Sequence, residues 1–195
     1  MSNMVVLGSG AVGTGICKAL RNAGHAVTSI NTSTSKENGA TAIRQADFVF
    51  LAIPLKAALS LQDNWVDALT GKTVIDMTNP LTPDFANLTV GFKDSAGEQV
   101  TKALPKAKVV KALNAVLAPN HDLRSFEKGQ MFVPVAGEET SANAVVDLLR
   151  SIGFDAQYVG DITCSRYIEP MAEVLIRLAY MQNQGTSIAL KLMRA

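Results

Sequence analysis

A glycine-rich turn near the start of the chain has the spacing best suited to chemistry. Gly8, Gly10 and Gly13 follow an apolar, strand-like run and precede a segment with helical periodicity. In that context the first glycine permits a tight turn, the second lets the backbone approach a pyrophosphate, and the third lets the helix pack closely on the strand. The helix N-terminus would attract the diphosphate through its free N–H groups and its dipole. The predicted dinucleotide contacts are Gly8, Ser9, Gly10, Ala11, Val12 and Gly13.

The residues after the second predicted strand, 26–30, indicate which dinucleotide would bind. An NAD site usually has an Asp or Glu about 20 residues past the glycine motif, where it bonds the ribose hydroxyls. Asn31 occupies that place here, and Thr32, Ser33 and Lys36 follow it. These groups can donate hydrogen bonds to a 2′-phosphate, which a carboxylate would repel. The segment therefore favours NADP over NAD, although a Ser/Thr run is also typical of a solvated loop.

Acid–base and metal chemistry have weaker support in the sequence. Hydride transfer between cofactors needs proximity and exclusion of water more than a general base. His121, in a predicted loop, could donate a proton to a reduced ring, but a surface position is the simpler interpretation. Asp76, inside a predicted strand, is interpreted as a structural acid. Cys17 and Cys164 have no metal partner at a useful spacing, so we predict no metal site.

The elements that would position these residues alternate along the chain. The predicted strands are 4–7, 26–30, 48–53, 73–77, 108–113, 131–136 and 154–159. Segments with helical periodicity lie between them, and the longest predicted helix is 167–183. This rhythm predicts an α/β fold: a Rossmann-type, doubly wound, mainly parallel sheet with C-terminal helices packed on it or on a partner subunit. We predict a single NAD(P)-binding domain over 1–195, with a helical extension from about 164.

One segment of this pattern is unusually short. Only 16 residues, 32–47, separate Asn31 from Phe48. Such a short segment has no room for the full helix and strand that usually precede the next strand. It predicts an open adenosine pocket.

Composition excludes several classes of function. The chain has 195 residues, with 18 Lys plus Arg against 17 Asp plus Glu. This balance argues against a protein that binds nucleic acid or a membrane surface by charge. The N-terminus lacks the basic region of a signal peptide, and no apolar run reaches the ~18 residues of a membrane span. With only two cysteines, the chain is predicted to be cytoplasmic with reduced thiols.

Four motifs, taken together, resemble one enzyme family. They are residues 8–13, 46–54, 74–80 and 109–114, and the stretch 166–193 looks like the closing helices of the same family. The chain is similar, over nearly its whole length, to NADP-dependent reductases of coenzyme F420, a deazaflavin. The same module resembles the cytosolic NADPH domain of six-transmembrane ferric reductases. Family members often carry Ser-Arg after the second strand, where this chain has Thr32 and Ser33.

The resemblance implies a position for each ligand. The nicotinamide would lie at the C-terminal strand ends, the crevice where ligands of such sheets bind. Ala52, Ile53 and Pro54 would pack on its ring and ribose, Asn79 and Pro80 would line the next strand end, and 112–114 would form the far wall, where the acceptor stacks. Ala112 and Asn114 belong to that wall. Asn79 and Asn114 are candidate partners of the carboxamide or the acceptor, or else they have turn or strand-cap roles.

The function expected from the residues and the resemblance is hydride transfer between NADP(H) and a flat ring, either an F420-type deazaflavin or a flavin. Asn114 and His121 are the candidate catalytic residues. The alternatives are an NADPH-dependent ferric or flavin reductase and a non-catalytic module that binds or senses NADP(H). The resemblance also implies a homodimer formed through the C-terminal helices. Imine reductases of related fold usually add a long helical domain, for which this chain has no room after Cys164.

Overall fold

The computed structural model describes residues 1–123 and 125–195. Within them the chain forms one seven-stranded sheet in the order β2-β1-β3-β4-β5-β6-β7. The strands are β1 (Asn3–Leu7), β2 (Ala26–Ile30), β3 (Phe48–Leu51), β4 (Thr73–Asp76), β5 (Lys108–Lys111), β6 (Phe132–Gly137) and β7 (Asp155–Gly160). Only the β5–β6 pair is antiparallel among these. The predicted Rossmann-type, mainly parallel α/β fold is confirmed.

Helices cover both faces of the sheet. They are α1 (Ala11–Asn22), α2 (Lys36–Gln45), α3 (Leu55–Ala58), α4 (Asp63–Ala68), α5 (Ala96–Ala103), α6 (Glu139–Ile152) and α7 (Ser165–Ile176). Alternate residues of β1 point to opposite faces, as strand geometry requires. Met4 and Val6 join a core with residues of α1 and α6, whereas Val5 and Leu7 join a second core with residues of α2, α4 and α5.

The segment that follows β2 corrects one expectation. A ten-residue helix, α2, fits between Asn31 and Phe48, so the interpretation that the segment is too short for a full helix is wrong. Ser35 caps this helix by accepting a hydrogen bond from the Asn38 N–H. The Trp65 indole of α4 donates to the Lys36 carbonyl at 2.9 Å and holds the start of α2 in place.

Two other helices differ from their predicted extent. The residues after Pro54 form two short helices, α3 and α4, rather than one. The last long helix is α-helical to Ile176 and then continues as a π-helical segment, Arg177–Met181. It packs on α5, and its residues Leu175 and Ala179 form a small core with Leu117. In the described part of the chain, every helix is too short or too polar to cross a membrane.

Candidate cofactor and acceptor site

The glycine turn brings the start of α1 against the ends of two strands. Gly8 has φ +115°, and a Cβ there would lie 2.1 Å from the Ala52 carbonyl oxygen that follows β3. A Cβ on Gly13 would lie 2.1 Å from the Gly8 oxygen. Only glycine permits these approaches. β1 lies between β2 and β3, which is the point where strand order reverses and where ligands of such sheets bind.

Gly10 has a different environment from the other two glycines of the motif. It is exposed and occupies the N-cap position of α1, and a Cβ added to it would meet nothing within 4 Å. The first turn of α1 carries no acidic residue, and Gly10 provides no side chain to cap it. The N-terminal N–H groups of this helix therefore face open space, which fits a diphosphate.

The polar segment after β2 lies beside the glycine turn. Asn31 donates from Nδ2 to Ser9 Oγ at 3.2 Å, and its Oδ1 accepts from the Ser33 N–H at 2.9 Å and the Ser33 hydroxyl at 2.6 Å. Asn31 thus organises the turn with its own side chain. Thr32, Ser33 and Lys36 remain exposed. All three lie within six residues of the end of β2, and the nearest carboxylate in sequence is Glu37.

A cavity of about 900 Å³ continues from the start of α1 along the strand ends, and we call it the larger cavity. Its wall includes Gly10, Ala11, Val12, Ala52, Ile53, Pro54, Asn79 and Pro80. These are residues that the sequence analysis assigned to the cofactor, and the structure brings them together. The wall also contains Lys56 and Thr78, which that analysis missed. Thr78 is buried, and within the described residues its hydroxyl has no hydrogen-bond partner.

A second, mainly apolar cavity of about 540 Å³ adjoins the first, and we call it the smaller cavity. Segment 113–118, His121 and the α7 residues Ala172 and Ile176 line it, with Tyr180 beyond α7. Both cavities share one set of wall residues: Val12, Met77, Asn79, Leu81 and Phe85. Two ligands, one in each cavity, would therefore both contact these five residues.

Two asparagines connect the strand ends at the shared wall. Asn79 donates from Nδ2 to the Asn114 carbonyl at 2.8 Å, and Asn114 Nδ2 donates to Asn79 Oδ1 at 3.0 Å. Asn114 Oδ1 is buried and has no hydrogen-bond partner among the described residues. Leu113, directly before it, has φ +65°, a left-handed conformation that leucine rarely adopts. This turn directs the chain from β5 into the wall of the smaller cavity.

His121 is in the predicted region but not in the predicted environment. It is only 1% exposed, so the interpretation of a surface loop histidine is wrong. Burial lowers its pKa from 6.5 to about 4, and nearby backbone carbonyls, that of Ala118 among them, oppose this shift. The imidazole is therefore neutral at pH 7, with one ring N–H that can donate a hydrogen bond and one ring nitrogen that can accept one. The lowered pKa disfavours the predicted role of His121 as a proton donor to a reduced ring.

Ala112 is also placed differently from the prediction. It is completely buried in the core that includes Val6 and Phe50, and it lines neither cavity. The far wall begins one residue later, at Leu113. Asn114 keeps its predicted place in that wall.

A buried ion cluster lies under the strand ends. Lys111 Nζ is 3.0 Å from Asp76 Oδ2 and 3.0 Å from Glu169 Oε1, and the three side chains are at most 2% exposed. Asp76 was expected to be structural, and neither Lys111 nor Glu169 was predicted to pair with it. A signal was present, because Asp76 and Lys111 carry opposite charges inside two apolar runs. The register pairs these two residues directly across β4 and β5.

Comparisons with known proteins are consistent with this geometry. Residues 3–80 match the family described as NADP oxidoreductase coenzyme F420-dependent. A candidate F420-dependent NADP reductase from Arthrobacter sp. FB24 is 27% identical with a TM-score of 0.82, and each chain covers 100% of the other. The predicted family resemblance is confirmed. The predicted enzyme class, an NADP-dependent oxidoreductase, is confirmed by the same matches.

More distant matches show the fold alone. A hypothetical protein from Sinorhizobium meliloti is 22% identical with a TM-score of 0.70, and the match covers 100% of this chain and 97% of that protein. An imine reductase from Myxococcus stipitatus, solved with NADP⁺, is 17% identical with a TM-score of 0.64. That match covers 93% of this chain but only 63% of the reductase. No curated protein matches the sequence.

The buried histidine predicts how stability changes with pH. The pKa of His121 is about 4 in the folded chain and about 6.5 when unfolded, so the unfolded chain takes up the proton first as the pH falls. As the pH falls from 6.5 to 4, protonation of His121 in the unfolded chain therefore lowers the free energy of unfolding, by about 3 kcal/mol in total. Between pH 7 and pH 4, the free energy of unfolding measured in urea should fall less for the His121→Gln variant than for the wild type. His25→Gln, which replaces the other histidine of the chain, is the control, and equal losses in all three proteins would contradict the assignment.

Proposed function

We propose that the chain, acting as a single domain, transfers hydride between NADP(H) in the larger cavity and a flat ring acceptor in the smaller cavity. The acceptor would be an F420-type deazaflavin or a flavin. The observation that supports this proposal is the wall shared by the two cavities, at Val12, Met77, Asn79, Leu81 and Phe85. Hydride transfer requires the two reacting carbons to approach to about 3–3.5 Å, so the nicotinamide and the acceptor ring would have to face each other at these shared residues.

The residues around the larger cavity fit the cofactor. The diphosphate would lie at Gly10 and the N-terminus of α1, where there is open space and no competing acid. The 2′-phosphate would lie near Thr32, Ser33 and Lys36 at the end of β2. The nicotinamide would extend past Ile53 and Pro54 toward the shared wall. The cofactor supplies the hydride chemistry, and the protein binds it, orients it and excludes water.

The smaller cavity fits a flat ring that is apolar over most of its surface and polar at one edge. Its walls are mainly aliphatic and aromatic, which favours stacking of a flat acceptor. Asn114 Oδ1, which has no partner among the described residues, can accept a hydrogen bond from a ring N–H. The pyrimidinedione ring of flavins and deazaflavins offers such a group. The neutral His121 imidazole lines the same cavity and orients the ligand rather than protonating it.

The acceptor can be identified by an anaerobic assay of the pure protein. NADPH is mixed with oxidised F420, and loss of the visible absorbance of the deazaflavin is followed. Parallel reactions replace NADPH with NADH, and F420 with FMN or with FMN plus ferric iron. We expect rapid bleaching of F420 or FMN with NADPH and much slower bleaching with NADH. NADPH binding without reduction of any acceptor would contradict the proposal and favour a sensing module.

Gly10→Val tests the position of the cofactor. A Cβ at this position meets nothing within 4 Å, so the fold should survive, whereas the branched side chain would fill the space assigned to the diphosphate. We expect NADPH affinity, measured by the fluorescence of the bound nicotinamide, to fall at least about 100-fold, because diphosphate contacts to the helix N-terminus are lost. Asn22→Val, at the exposed far end of α1, is the control. Unchanged affinity in a folded Gly10→Val protein would show that the cofactor binds elsewhere.

We further propose a cytoplasmic homodimer formed through the last helix. Five residues at helical spacing leave an apolar stripe on α7 and its π-helical extension exposed or half-exposed: Tyr167, Met171, Val174, Leu178 and Met181. Such a stripe is typical of a surface that is buried in an assembly. Light scattering after size exclusion should give twice the monomer mass, and Val174→Glu should give the monomer. A monomeric wild-type protein at micromolar concentration would contradict the dimer.

A further inference from the structure

The ammonium group of Lys111 holds three parts of the chain together. Besides the carboxylates of Asp76 and Glu169, it donates to the Thr78 carbonyl at 2.6 Å. Its three donors thus have three acceptors, and the side chain is fully buried. A buried ammonium group with such complete pairing fixes the positions of all its partners. A partner that moved away would remain buried without its hydrogen bond or its opposite charge, which is energetically costly away from water.

These partners lie at the two ends of one long connection, 77–95, between β4 and α5. Thr78, near its start, is held directly by Lys111. Its end is held through Glu169, whose two carboxylate oxygens accept the N–H groups of Ala96 and Gly97 at 3.0 Å each. Those N–H groups form the start of α5. Lys111 therefore holds both ends of the connection in a fixed position relative to β5.

The connection between these fixed points forms the shared wall. Asn79, Leu81 and Phe85 belong to it, and each lines both cavities. Glu169 lies on α7, which also places Ala172 and Ile176 in the smaller cavity. One ammonium group is thus connected to three elements that define where the two ligands would meet: the end of β4, the start of α5, and α7.

We infer that Lys111, with Asp76 and Glu169, is a positioning residue that sets the shared wall and hence the distance and angle between nicotinamide and acceptor. This inference rests on the proposed function for its kinetic consequence. Its structural content, that the ion cluster holds residues 77–97 in one arrangement, is independent of that function. The diphosphate and 2′-phosphate contacts lie on other elements, so the cluster affects the relative placement of the rings more than cofactor affinity.

Two variants and one control test this inference. Lys111→Met leaves two carboxylates buried without a cation, and loss of folding there would be uninformative. The triple variant Asp76→Asn/Lys111→Met/Glu169→Gln removes the charges together and keeps the side-chain volumes similar. Leu149→Ala, in a fully buried position on α6, is a control that lowers stability without touching the cluster. Each protein is measured for amide hydrogen exchange, for NADPH affinity, and for kcat and KM with the acceptor.

In the triple variant we expect exchange of 77–97 to accelerate at least about tenfold while that of β6, β7 and α6 stays at the wild-type rate. NADPH affinity should stay within about threefold of the wild type, whereas kcat should fall at least about tenfold, because misplacement by about 1 Å is enough to slow transfer by a larger factor. Leu149→Ala should show neither change. Exchange of 77–97 equal to that of the wild type would overturn the inference. If exchange of 77–97 is faster in the triple variant but the wild-type protein reduces no acceptor, only the proposed function is overturned.

Discussion

The approach of the first helix to the ends of β1 and β3 is the contact on which the rest of the structure depends. The Gly8 and Gly13 positions let backbone meet backbone at distances that no side chain would permit. As a result, the N-terminus of α1 opens onto the crevice where strand order reverses. The larger cavity begins there and continues along the ends of β3 and β4 to the wall that it shares with the smaller cavity. A different packing of α1 would remove the opening at Gly10 and the route to the second ligand together.

The arrangement separates binding from orientation. Phosphate groups would be recognised by α1 and the segment after β2, whereas the rings would be oriented by residues at the ends of β4 and β5. The Asn79–Asn114 pair joins those two strand ends, and the ion cluster of Lys111 fixes them to α5 and α7. Such rigid support is what hydride transfer between two rings requires, because the rate depends on geometry more than on acid–base groups.

Local sequence features predicted the fold, and they also predicted residues that the structure brings together around the larger cavity. Continuous apolar runs mark buried parallel strands, and the glycine spacing marks the turn between β1 and α1. The acceptor half depends on contacts distant in sequence, and these gave weaker signals. The neutral, buried state of His121 depends on how segment 113–121 packs against α1 and α7. Glu169 is buried because α7 packs on α5 and because its carboxylate pairs with Lys111. The left-handed turn at Leu113 has no sequence signal, because glycine or asparagine would be expected there.

Direct transfer between rings in adjoining cavities is the central claim, and isotope transfer tests it most directly. NADPH carrying two deuterium atoms at the nicotinamide C4 is mixed anaerobically with the protein and oxidised F420, and the reduced deazaflavin is examined by mass spectrometry. The account predicts deuterium in the ring of the reduced acceptor and slower reduction than with unlabelled NADPH. Reduced deazaflavin that carries solvent hydrogen instead, or no reduction when both ligands are bound, would contradict it.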